Sequence, residues 1–125
     1  MEPVLIMKTA CVLLALAALG GLVMAGIRFG GKPQPPTWLA MLHGLLAASG
    51  LVLLIYVAVT TGVPRLAQVA CGLFVLAALG GAYLNLGFHA KKLPLPIPVM
   101  LVHAGVAVTA FVLLVLAQIP AQTTG

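Results

Sequence analysis

Four apolar runs of about twenty residues each, separated by short links rich in proline, glycine and lysine, leave this chain few ways to fold. They extend from Thr9 to Ile27, Trp38 to Thr60, Leu66 to Phe88 and Ile97 to Ile119. A helix rises about 1.5 Å per residue, so roughly 20 residues cross a hydrocarbon core about 30 Å thick. Hydrophobic types make up 63 % of the 125 residues and charged types only 6 %. A small soluble domain cannot hide that much apolar surface, because it has too little interior for its exterior. Lipid must therefore be the main solvent. In lipid every backbone polar group needs an internal partner, which a helix supplies. The expected fold is an all-α membrane protein, a bundle of four transmembrane helices forming one domain over residues 1–125.

The links have helix-breaking chemistry. Gly30-Gly31-Lys32-Pro33-Gln34-Pro35-Pro36 ends one helix and delays the next, Thr60 to Pro64 is a tight turn, and Lys91-Lys92-Leu93-Pro94-Leu95-Pro96 is a second proline-rich connection. Links this short make neighbouring helices antiparallel. The first run is read as a retained span rather than a cleaved signal, since it is long and has a counterpart in the third run. Arg28 and Lys32 lie in the first connection and Lys91 and Lys92 in the third, against Lys8 and Arg65 on the other side. The positive-inside rule then puts connections one and three in the cytoplasm and both termini outside it. The expected location is a bacterial inner membrane.

Compared with itself at an offset of sixty, the chain repeats. Cys11 falls on Cys71, the block Leu16-Ala17-Ala18-Leu19-Gly20-Gly21 on Leu76-Ala77-Ala78-Leu79-Gly80-Gly81, Lys32 on Lys92, Pro36 on Pro96 and His43 on His103. A two-helix unit restores the starting direction, so the two copies, about residues 9–60 and 66–119, run parallel about an axis along the membrane normal. Small residues spaced by four, Ala17, Gly21 and Ala25 in one copy and Ala77 and Gly81 in the other, predict close helix packing.

His43 and His103 each lie a few residues inside a span, at equal depth. An ionisable group there carries a desolvation cost and points to a use or a partner. Two imidazoles converging on the repeat axis, with no nearby Cys, Asp or Glu, match the axial ligands of a haem iron better than a zinc site. A macrocycle also needs small neighbours, and Gly44, Ala47 and Gly50 follow His43 as Ala104, Ala107 and Ala110 follow His103. Arg28, Lys32, Lys91 and Lys92 are on the membrane side where haem propionates would need cations. His89 reads as an interfacial histidine. The leading expectation is a small b-type cytochrome, with haem b held by His43 and His103, passing electrons to a redox partner protein or quinone. In architecture and paired histidines the chain resembles four-helix membrane cytochromes b.

Two other readings remain open. One is a cofactor-free accessory or assembly subunit, or an oligomer, within a larger membrane complex. The other is a small transporter, for which Asn85, Gln68, Ser49, Thr109 and Tyr83 could line a path, although the sole acidic residue, Glu2, lies outside the spans. No carboxylate pair, phosphate loop or nucleophile–base motif points to an independent enzyme. The basic residues are scattered between apolar runs, unlike the stripe of a nucleic-acid binder. Cys11 and Cys71 read as small buried hydrophobes.

Overall fold

The computed structural model describes residues 2–120. It contains four long helices: α1 (Pro3–Phe29), α2 (Thr37–Thr60), α3 (Arg65–Leu84), which continues through a π-turn at Asn85–His89, and α4 (Ile97–Ala117). All four are long and apolar enough to cross a membrane. The chain is an integral membrane protein with a four-helix bundle.

Prolines set where the helices begin. Pro36, Pro64 and Pro96 are the residues that precede α2, α3 and α4, and Pro3 opens α1. Proline cannot extend a preceding helix, but its fixed φ suits the first turn of the next. The start of α1 is six residues earlier than the hydropathy pattern indicates, because Pro3 begins the first turn and Lys8 stays exposed on the helix surface. At the other end α4 stops at Ala117, two residues before the sequence-based limit, in a turn where Gln118 and Ile119 donate to Val115 and Leu116.

Each helix packs against its neighbours in sequence, and α1 also packs against α4, so the four form a ring with α2 and α4 on one diagonal. Packing is densest within the pairs α1–α2 and α3–α4. The core that joins all four is built from Ile6, Ala10 and Leu14 of α1, Leu54 and Val57 of α2, Ala67, Ala70 and Phe74 of α3, and Ala110 and Leu114 of α4. The starts of α1 and α3 therefore meet the ends of α2 and α4, which is an up-down-up-down order. This core occupies only the half of the bundle near the termini and the second link. Gly50 is a point of close approach between α1 and α2: a Cβ there would lie 2.7 Å from Leu14 Cγ and 3.1 Å from the Ala10 carbonyl.

The other end is closed by hydrogen bonds between the first and third connections. Leu95 N–H donates to the Pro33 carbonyl at 3.0 Å, Arg28 Nε to the Leu95 carbonyl at 3.0 Å, and His89 Nε2 to the Pro35 carbonyl at 2.9 Å. These bonds lie between the two repeat units and hold them side by side at this face.

Candidate functional site

The two histidines come together across the α2–α4 diagonal, in the half of the bundle that the four-helix core leaves out. Their ring centres are 6.2 Å apart and their planes cross at 76°. Each ring is held by the other helix of its own pair. His43 Nδ1 is 2.7 Å from the Ala17 carbonyl of α1, and His103 Nδ1 is 2.8 Å from the Ala77 carbonyl of α3, each 26 residues upstream.

The repeated block explains how a helix carbonyl can accept these bonds. Ala17 O belongs to the ladder of α1, where the residues three and four positions on normally cover it. Those residues are Gly20 and Gly21, and in the second copy Gly80 and Gly81. A Cβ at Gly21 would sit 3.1 Å from His43 Cε1, and one at Gly81 would sit 3.2 Å from His103 Cε1. Without those methyl groups the rings lie directly on the helix backbone. A carbonyl oxygen has two lone pairs, so it serves the ladder and the imidazole together.

The same bond determines the tautomer. A carbonyl only accepts, so Nδ1 must donate, and in the neutral ring the lone pair is then on Nε2. Nε2 has no hydrogen-bond partner among the described residues, yet no polar atom there is both fully buried and unpaired. Both Nε2 atoms thus keep accessible surface. The two imidazoles are thus half-buried and held from behind by the carbonyls of their partner helices, with Nε2 unpartnered among the described residues.

The remaining predicted site residues are divided. Ala47 and Ala107, one turn beyond the histidines, are half-buried. Gly44 and Ala104 are exposed on the bundle's outer surface, and Gly50 and Ala110 belong to the helix-packing core. The small size of Gly50 is accounted for by Leu14, with no macrocycle needed. Arg28 is engaged with the Leu95 carbonyl, while Lys32 and Lys91 are exposed near the same end. Thr109 and Gln68, considered above as path-lining groups, bond to the Gly105 and Val63 carbonyls.

Two features escaped the reading of the sequence. In the sequence Ala17, Gly21, Ala77 and Gly81 predict helix packing only, and Gly20 and Gly80 stand in the repeated block without a role of their own. Their constant separation from the following histidine was the available signal. His89 is the other: it is only 7 % exposed, where Phe29, the residue sixty positions earlier, is 56 % exposed. The π-turn causes this difference, since one extra residue in a helical turn rotates everything after it.

Comparison with family models, with curated proteins and with solved structures finds no match to this chain.

Proposed function

We propose that this chain is a small membrane cytochrome of the b type, in which His43 and His103 would hold a haem iron. The observation that carries this reading is the spacing of the imidazoles. Two rings on either side of one metal ion, each bonded at about 2.0 Å, have centres roughly 6 Å apart. The rings here stand at 6.2 Å, with Nδ1 tied back and Nε2 free. The pair lies in the half of the bundle that the common core leaves out.

Haem would supply reversible one-electron chemistry at iron. The chain's own contribution is orientation and electronic tuning. The Ala17 and Ala77 carbonyls make each imidazole a stronger donor by accepting its other proton, and the apolar helices limit water. Held by His43 and His103, the group would serve electron transfer, to or from a quinone or a protein partner. A bacterial inner membrane, with connections one and three facing the cytoplasm, completes the reading.

A second reading, a cofactor-free accessory subunit of a larger complex, is favoured by two observations. Among the described residues no group of three or more His, Cys, Asp or Glu side chains could hold a metal ion. The rings also make an edge-to-face contact within the usual 4.5–7 Å range of aromatic pairs, which is a packing arrangement in its own right.

One experiment separates them. The protein is purified from cells supplied with haem and its reduced-minus-oxidised absorption spectrum is recorded. The cytochrome reading expects a six-coordinate b-type spectrum that His43→Ala or His103→Ala abolishes. A colourless protein, or a spectrum that survives both substitutions together, leaves the accessory reading standing.

A further inference from the structure

His89 has a second face. Its Nε2 donates to the Pro35 carbonyl, so in the neutral ring Nδ1 carries the lone pair, and that atom is neither bonded nor fully buried among the described residues. His89 lines a groove of about 590 Å³ between the start of α2 and the π-turn, where Gln34, Thr37, Met41, Asn85 and Lys92 also contribute. The groove is within the size range of small-molecule sites and combines apolar walls with a few polar groups. It lies at the end of the bundle where the polar connections meet the spans. Met41, at one edge of the groove, is two residues before His43, a rise of about 3 Å along α2.

The chemistry of the lining selects its ligand. Lys92 donates, Asn85 and Thr37 can donate or accept, and His89 Nδ1 accepts only. A bare anion would meet that lone pair unfavourably. A ring with a hydroxyl on one side and a second oxygen on the other would satisfy both ends, and an apolar tail could leave along the exposed helix surface into lipid.

We infer that this groove binds the head group of a membrane quinol, whose hydroxyl donates to His89 Nδ1 while its far oxygen is held by Lys92 or Asn85. The choice of a redox-active ligand rests on the electron-carrier reading, but binding itself does not require haem.

The test uses the full chain, made without haem and placed in nanodiscs of neutral phospholipid. Retention of a short-tailed radiolabelled benzoquinol is measured against empty nanodiscs, beside its dimethyl ether, which has no hydroxyl. Saturable binding of the quinol is expected, at least fivefold tighter than that of the ether. Asn85→Leu, which leaves the His89–Pro35 bond in place, and Lys92→Gly, which suits the backbone there, should each weaken it severalfold. Binding no greater than lipid partition, equal binding of quinol and ether, or full retention by both variants overturns the inference. So does saturable uptake of phosphatidylglycerol that excludes the quinol, which would make the groove a lipid head-group site. Because haem is absent throughout, failure here is separate from failure of the absorption experiment.

Discussion

Gly50 and Gly81 are both small for reasons of contact, yet their replacement should have different consequences. A methyl group at Gly50 meets Leu14 Cγ at 2.7 Å and the Ala10 backbone at 3.1 Å, in a part of the bundle that is already filled. Overpacking of this kind costs about 1–3 kcal/mol. Gly50→Ala should therefore lower the thermal unfolding midpoint in detergent while leaving the histidines as they are; an unchanged midpoint would mean that α1 and α2 are further apart than described. A methyl group at Gly81 meets only the edge of His103. For Gly81→Ala we expect nearly normal stability but a changed imidazole, read by nitrogen NMR of labelled histidine. In the native protein His103 should be protonated at Nδ1 and bare at Nε2, and in the variant the Nδ1 bond to Ala77 should weaken. An Nε2-protonated ring in the native protein would contradict the geometry on which the haem reading depends.

The ends of α1 and α3 show how one element diverged from its copy. α1 closes with Lys32 N–H on Ile27 O and Gly31 N–H on Arg28 O, around Gly31 at φ +98°. α3 closes in the same pattern, with Leu93 N–H on Phe88 O and Lys92 N–H on His89 O, around Lys92 at φ +56°. Lys92 thus has the backbone role of Gly31 and is not the counterpart of Lys32, as the sixty-residue alignment implies. The offset is sixty-one here because the π-turn adds a residue, which the third connection gives back before α4 starts. Left-handed backbone disfavours a side chain. Lys92→Gly should accordingly stabilise the folded protein by up to about 1 kcal/mol, since relief of left-handed strain worth roughly 1–2 kcal/mol is partly offset by the entropy glycine adds to the unfolded chain. A drop in the unfolding midpoint would show that the lysine side chain makes a stabilising contact outweighing its strain.

For the molecule as a whole, the approximate twofold arrangement explains why one half of the bundle is packed and the other carries chemistry. Near the termini Leu14, Leu54, Phe74 and Leu114 fill the axis; at the opposite end the axis is lined by imidazoles and closed by the two connections. Orientation also belongs to this scale. Arg28, Lys32, Lys91 and Lys92 are at the histidine end, against Lys8 and Arg65 at the other. Reporters placed in the first connection and after residue 125 should be active in the cytoplasm and outside it, respectively. The reverse pattern would put the histidines near the outer face and change which partners could reach them.

Four spans, their alternating direction and the repeat were legible without coordinates, because hydropathy, proline and self-similarity are local or linear properties of the chain. The pairing of His43 with His103 followed from the repeat as an expectation, since a parallel duplication brings equal positions to equal depth. Rotation was not legible. Whether an imidazole faces its twin or the lipid depends on how helices settle against each other, and so does the role of a small residue. Tertiary packing assigned Gly50 to a helix crossing and Gly21 to a histidine cradle, although both are glycines in apolar helices. It also turned His89 inward through one extra residue in a turn, which no periodicity in the sequence records. The four helices are thus a property of composition and order, whereas the free Nε2 atoms between them exist only because Ala17 and Ala77 present bare carbonyls at the right distance.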